Sequence, residues 1–512
     1  MASTATLFVA RSSFQEGKVS VKSFLVQICA VALAVLSPAA IHAQANDTAV
    51  AAMIAAYGGD ALGDLERIKT VSQRGVAWPG QGQTAAFVEF ADDRVIKTLD
   101  LANRQGSVER WTLQNGNFYH GREIVDESGL TIIDYGAGHY TTDENGSFAS
   151  AFAGDWRGLD LLIAKRIFDD PSVIKSSRDS FYAGHPTRIL TVEPEEGAAA
   201  FEAFISKRDG LIRRVSFEGG LGAVDRIWSG HRSNGRFLHA TASQIIADGR
   251  TIEIERLVSV KTNPTSEGFL EIEPSLTPEP AMIDTSQMTV EELAPGLFWV
   301  GQDDYSMFAL HDGGWIAVSP YAGFQERFAA LKEHTGFAAP LTSIIATHHH
   351  EDHLASIADA VALGADVVTT PEGQLALQQS WYAGTKPMVR TVEDNDRVGP
   401  FRILIEATAH SPSNIFVLHE ASGVMFQEDH YHAFFADRAS RIQPTAAQMW
   451  RALSERGLRI TAMVSGHARK AEDWRVFANA VAAAEPVKAC PSKRPICLPG
   501  WPHDHTISGL SS

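Results

Sequence analysis

Cysteine is nearly missing from this chain: of 512 residues only Cys29, Cys490 and Cys497 are cysteines, so a fold stapled by many disulfides is excluded. The last two stand close together around Pro491 and Pro495, and in an oxidising compartment they are expected to close one small loop, worth roughly 2–3 kcal/mol by chain entropy. An excess of basic residues is missing too. With 44 Lys and Arg against 61 Asp and Glu the formal charge is −17, which makes the chain a poor partner for polyanions and speaks against nucleic acid as substrate. Long apolar runs are also absent. The best candidate, Phe24 to Leu36, is interrupted by Gln27 and falls short of the roughly 20 residues a membrane-spanning helix needs. There is no internal repeat, and Gly80-Gln81-Gly82 lacks the rest of a nucleotide-binding fingerprint and reads most simply as a turn.

The short apolar run sits in an export context, with Lys18 and Lys22 before it and Ala43-Gln44-Ala45 after it. Residues 1–45 are therefore expected to be a cleavable signal peptide, giving a periplasmic or secreted protein without a stable membrane anchor. Residues 46–262 read as a β-rich amino-terminal domain. Residues 48–70 read as a helix and linker, with Ala51, Ile54, Ala55 and Leu62 periodic and Gly58-Gly59 as a break, a second helix is expected near Leu159 to Phe168, and short alternating runs such as Thr251-Ile252-Glu253-Ile254-Glu255 dominate the rest. Turn signals at Asn115-Gly116, Asp209-Gly210 and Asp248-Gly249 separate these runs, which predicts a mostly antiparallel, strongly curved sheet. Residues 263–287, rich in proline between Pro264 and Pro280, read as a linker. Residues 288–486 alternate strand and helix as a second domain, and 487–512 form a tail carrying the cysteine pair.

What the chain does have is a crowd of imidazoles at Thr347-His348-His349-His350-Glu351-Asp352-His353, spelling H-x-H-x-D-H. Leu341 to Ala346 is apolar and reads as a buried strand, and from Asp352 to Gly364 the pattern becomes helical, with Leu354, Ile357, Ala358 and Val361 on one face. His348 and His350, two residues apart in extended chain, project to one side and can close on one metal ion. Asp352 and His353 turn to face a second. Imidazole nitrogen with carboxylate oxygen suits zinc. A helix-capping loop would explain Asp352 but not three spaced imidazoles.

On these residues the chain resembles the metallo-β-lactamase-fold hydrolase superfamily, over about residues 288–486. Three further positions match the pattern, each after a strand-like run: His410 before Ser411-Pro412-Ser413-Asn414, Asp429 after Gly423 to Glu428, and His467 after Ile460 to Gly466. The resemblance implies an α/β fold, an αββα sandwich preceded here by the mostly antiparallel β domain. It also implies two Zn2+ ions per chain, one on His348, His350 and His410, the other on Asp352, His353 and His467, with Asp429 bridging; iron or manganese stays open. Two departures stand out. The family's bracing aspartate is replaced by Ser319, which leaves the support of the motif loop open, and Glu428 occupies a position where a small residue is common and is expected to face solvent.

The implied chemistry is attack by a metal-bridged hydroxide on an acyl bond of a small-molecule substrate, with Asp352 able to relay a proton to the leaving group. The bridging Asp429 is found in lactonase-like and thioesterase-like members rather than in true β-lactamases, so an ester or lactone is favoured over a β-lactam or other amide. A metal-dependent oxidoreductase of the same fold and a non-catalytic hydrophobe-binding protein are the alternatives. Other residues read more plainly. His349 is expected on the far side of the loop, outside the ligand set. His430 and His432 have packing or surface roles with a substrate role open, and His419 is structural. Tyr305, Trp381, Tyr382 and Tyr431 fall on segments that can rim the pocket, and His503 and His505 are solvated. A fragment beginning near Met288 contains every presumed ligand and is expected to keep its metal.

Overall fold

Alternation of buried and exposed side chains marks a strand with one covered face, and in the amino-terminal domain it builds one sheet of fourteen strands. The computed structural model describes residues 48–77, 80–82, 84–85, 90–195, 199–219, 222–265, 267–379 and 388–484. The export-like segment, Trp381, Tyr382, the cysteine pair, His503 and His505 lie outside them. Every pairing in the large sheet is antiparallel except that of Thr277–Pro278 with His139–Tyr140 at one edge. The central hairpin pairs Arg67–Ala77 with Phe90–Asp100 without a register shift.

One face of this sheet is filled by helices. In the helix Asp160–Asp169 the run Leu161 to Lys165 and Ile167 are all buried. This helix joins Val50, Met53 and Tyr57 of the helix Thr48–Tyr57, together with Ile68, Val95, Leu190 and Ile205 of the sheet, in one apolar cluster. Asp160 is the polar point within it. Fully buried, it accepts hydrogen bonds from Tyr57 Oη at 2.7 Å and from the Ala240 backbone N–H at 3.0 Å, and it pairs with His231 at 2.9 Å. Burial and the adjacent carboxylate hold the Tyr57 hydroxyl protonated far above its ordinary range.

The expected linker is tied down rather than free. The Arg122 guanidinium donates to the carbonyls of Glu271, at 3.0 Å, and of Phe269, and Thr277–Pro278 extends the large sheet.

The second domain is an αββα sandwich. Seven strands from Thr289–Ala294 to Val389–Thr391 form one sheet in sequence order, and six from Arg397–Val398 to Glu472–Asp473 form the other. The run Leu297-Phe298-Trp299-Val300 shows why the first sheet is covered on both faces. Leu297 and Trp299 point to the core shared with Ile403, Phe416, Phe426 and Val464 of the second sheet. Phe298 and Val300 point the other way, toward Phe324, Phe328 and Leu331 of the helix Phe324–Thr335. On the outer side of the second sheet lie the amphipathic helices Pro444–Glu455 and Trp474–Ala483. The helix expected from Asp352 onward is shorter than its pattern. A 3-10 turn, Asp352–Leu354, comes first, and the α-helix begins at Ile357. Within that turn Asp352 Oδ2 lies 3.5 Å from His353 Nε2.

The two domains meet along the hairpins of the large sheet. Asn117 accepts from the backbone N–H and hydroxyl of Thr445 at 3.3 and 2.8 Å, capping the start of the helix Pro444–Glu455 from the other domain. Arg441 Nη2 donates to the carbonyl of Phe118 at 3.1 Å. Gly116, with φ of +73°, packs so closely on Ala409 that a Cβ there would lie 2.2 Å from that residue's own Cβ, which demands glycine at this turn.

Changing Asp160 to Ala leaves the Ala240 N–H buried without its acceptor and the Tyr57 hydroxyl with only the 3.5 Å contact to His231, at a cost of about 3–5 kcal/mol. Asp160→Asn keeps an acceptor oxygen and should cost less. Urea unfolding of the two variants tests this; an Asp160→Ala midpoint equal to the wild type would refute the role.

Candidate metal centre

The strand Leu341–Ile345 delivers the motif loop to the edge shared by both sheets, and the loop's imidazoles are nearly all buried: His348, His349, His350 and His353 are each at most 4% exposed. His410 arrives on the loop after the strand Phe401–Glu406, Asp429 after Val424–Gln427 and His467 after Ala462–Ser465. All seven presumed ligands therefore come together, although they span more than a hundred residues of chain.

Asp429 is the common point. Its Oδ2 lies 3.2 Å from His348 Nε2, 3.8 Å from His350 Nδ1, 3.0 Å from His410 Nε2 and 2.7 Å from His353 Nε2. Its Oδ1 lies 3.3 Å from His467 Nε2. His348 Nε2 and His410 Nε2 face each other at 3.2 Å. On the other side, Asp352 Oδ2 is 3.5 Å from both His353 Nε2 and His467 Nε2. Two groups of ligand atoms result. One holds His348, His350, His353 and Asp429, with His410 beside them, and the other holds Asp352, His353 and His467.

The electrostatics suit a cation. Burial pushes His348 and His410 down toward the neutral form, helped by neighbouring imidazoles, and the neutral form is the one that ligates. His350 Nδ1, turned toward Asp429, is buried without a hydrogen-bond partner, an orphan that a metal ion would satisfy. For His353 burial acts downward, yet Asp352, Asp429 and Glu428 win and push it up to about 9. Burial alone would raise Asp352 and Asp429, but the surrounding imidazoles hold both far below the usual carboxylate range. The residues fit a divalent ion.

Outer partners fix these ligands. His467 Nδ1 donates to Asp304 at 2.9 Å. Glu428, expected at the surface, is 3% exposed; the chain turns at the end of the strand Val424–Gln427 so that Glu428 and Asp429 both face inward. Its carboxylate accepts from Tyr321 Oη at 2.7 Å and from Thr347 Oγ1 at 3.2 Å, and lies 3.6 Å from His353 Nδ1. Burial pushes Glu428 up to about 7. The support that Ser319 left open thus comes from the opposite sheet, where a carboxylate grips the first residue of the motif loop. Tyr321 in turn is held by its backbone carbonyl, which accepts from the buried Arg327 at 2.7 Å.

His349 is not solvated. It is buried, donates to the carbonyl of Gly82 at 2.8 Å, and burial pushes it down to about 3. Gly82 also lies 3.0 Å from His350 Nε2, and Gln81 Nε2 donates to Asp352 Oδ1 at 2.6 Å, so the turn in the amino-terminal domain reaches the site. The remaining residues pack. His430 sits behind His410 and Phe416 and contacts Thr408 Oγ1 at 3.0 Å. His432 contacts Ser465 Oγ at 3.3 Å and stacks on Phe434. His419 contacts Ser422 Oγ at 2.8 Å. Tyr305 and Tyr431, proposed for the rim, are core residues, stacked on Trp299 at 3.9 Å and hydrogen-bonded by Ser440 N at 3.0 Å respectively.

Residues 289–483 thus form an αββα sandwich with a histidine and aspartate cluster at the edge where the two sheets meet, as the resemblance to metallo-β-lactamase-fold hydrolases implies. No family model and no curated protein matches the chain. Among solved structures it is similar to a metallo-β-lactamase from Pontibacter korlensis at 15% identity, covering 39% of this chain and 100% of that one with a TM-score of 0.32. A metallo-β-lactamase from Hirschia baltica gives 17%, 38%, 96% and 0.30 in the same order. The stereoselective inverting sec-alkylsulfatase Pisa1 from Pseudomonas sp. gives 14%, 38%, 40% and 0.30. Likeness of this degree carries no activity over to this chain.

Glu428→Ala should loosen the motif loop and lower metal affinity roughly 10–100-fold, whereas Glu428→Gln, which keeps an acceptor for Tyr321, should lose less. Chelator competition on folded protein measures both; equal wild-type affinity in the two variants would show that the carboxylate does not support the site.

Proposed function

We propose that this chain is a metal-dependent hydrolase that holds two divalent ions, zinc foremost, and cleaves an acyl bond in a small-molecule ester or lactone. The observation that carries this reading is Asp429, one carboxylate in reach of both ligand groups, at 3.2 Å from His348 and 3.0 Å from His410 on one side and 3.3 Å from His467 on the other. His348, His350 and His410 would hold one ion and Asp352, His353 and His467 the other. When bound, such a pair supplies Lewis acidity toward a carbonyl and lowers the pKa of water to near neutrality.

The protein's own part is positioning. His467 is aimed by Asp304, His353 faces Glu428 across its outer nitrogen, and Asp352 is held ionised by its imidazole neighbours. Asp352 therefore starts as a proton acceptor, and any proton it passes to a leaving group is one it has first taken up. Support for an ester or lactone over an amide comes from the bridging position of Asp429, by resemblance alone. Among the described residues no helix is long and apolar enough to cross a membrane, and the export-like segment supports work outside the cytosol. An iron-dependent oxidoreductase is less favoured because His350 supplies imidazole where the diiron relatives commonly carry a carboxylate.

Purified protein kept from chelators should contain about two transition-metal ions per chain. Asp429→Ala should lower both the metal content and the turnover of a chromogenic ester. His349→Ala should retain metal, since its ring points to Gly82. Elemental analysis with a panel of ester, lactone, β-lactam and phosphodiester substrates decides; a metal-free sample that is folded and active would sink the reading.

A further inference from the structure

We propose that the amino-terminal domain completes the metal centre through its turn at Gly80 to Gly82, with Gln81 as a positioning residue for Asp352. This rests on the two-ion reading above. Asp352 has two oxygens and they are used differently. Oδ2 faces His353 and His467 at 3.5 Å each, and Oδ1 accepts the Gln81 side-chain N–H at 2.6 Å. The amide therefore fixes the rotation of the carboxylate and decides which oxygen is offered to the ion.

The next residue acts on the other ligand group. The Gly82 carbonyl lies 3.0 Å from His350 Nε2 and 2.8 Å from His349 Nε2, and a carbonyl can only accept. It therefore requires the proton on His350 Nε2 and leaves the Nδ1 lone pair free on the side of Asp429. The turn makes two further hydrogen bonds through its backbone. The Gly80 carbonyl accepts from the Glu351 backbone N–H at 3.0 Å, and the Gln81 carbonyl accepts from Asn115 Nδ2 at 2.9 Å. Gly80 has φ of +75°, a left-handed conformation that glycine adopts without strain. A short turn crosses from one domain to the motif loop of the other and touches four of its residues, His349, His350, Glu351 and Asp352. A fragment of residues 288–486 would keep every presumed ligand but none of these contacts, so under this proposal it would bind metal more weakly than the full-length chain.

The test uses the full-length chain and titration with Zn2+ against a competing chelator, followed in parallel with Co2+ by its visible spectrum. Asp352→Ala identifies the binding step that depends on Asp352. Gln81→Ala should weaken that same step roughly 10–100-fold and leave the other step and the circular dichroism unchanged. Gln81→Glu, which sets an acceptor against Asp352, should weaken it at least as much. Wild-type affinity at both steps in both variants overturns the proposal while the two-ion reading stands. Equal weakening of both steps also overturns it, by showing that the turn only scaffolds the loop. A wild-type protein that takes up fewer than two ions fails before any variant is compared, and that result overturns the two-ion reading itself.

Discussion

Asp429 is a carboxylate set among five imidazoles, and a buried charge of that kind persists only where opposite charge or hydrogen bonds offset the several kcal/mol lost on leaving water. Much of the second domain follows from meeting that condition. Each of the five imidazoles reaches Asp429 from a strand end or from the turn after one, so both sheets must present their ends at one edge. The carboxylates around them push His353 up to about 9 and His467 well above its ordinary value, whereas burial outweighs the same carboxylates at His348 and His410 and pushes both down.

The residues that cluster at the site were legible in the sequence because metal chemistry compresses its signal. H-x-H-x-D-H puts four of the seven presumed ligands in one short loop, and the other three each follow a run that reads as a strand. The sandwich was legible for a similar reason, since Leu297 to Val300 and Ile403 to Ile405 carry the apolar density of strands buried on both faces. What escaped the reading is held by contacts between distant segments. Gln81 lies 271 residues from Asp352, and no local pattern records which turn approaches which loop. Tyr321 and Asp304 were invisible for that reason too. Glu428 was misjudged differently. Strand alternation predicts opposite directions for Glu428 and Asp429, but the strand ends at Gln427 and the following bend turns both inward.

The outer partners of the ligands come from separate parts of the fold. His467 leans on Asp304 from the first sheet, His353 faces Glu428 from the second, and His350 leans on Gly82 from the other domain. Tyr321 links two of these, with its hydroxyl donating to Glu428 at 2.7 Å and lying 3.2 Å from His467 Nε2. A displacement of either sheet would therefore be felt at more than one ligand. Such coupling lets a site be held to a few tenths of an ångström without any single strong contact.

His410 is the exception. Its outer nitrogen, Nδ1, is buried without a partner, and the ring is positioned instead by packing against His430, whose own ring lies against Phe416. Apolar and edge-on ring contacts fix a side chain less sharply in angle than a hydrogen bond does. Its backbone compensates in part, since the His410 N–H donates to Thr408 Oγ1 at 3.2 Å and Ala409 N–H to Gln448 Oε1 at 2.8 Å. The loop bearing His410 is also the one that Gly116 of the amino-terminal domain abuts at Ala409. The amino-terminal sheet thus bears on both ligand-carrying loops of the first group, on one through hydrogen bonds from Gly80 to Gly82 and on the other through close packing at Gly116. A domain whose strands show no catalytic motif of their own still sets the geometry in which the ligands meet.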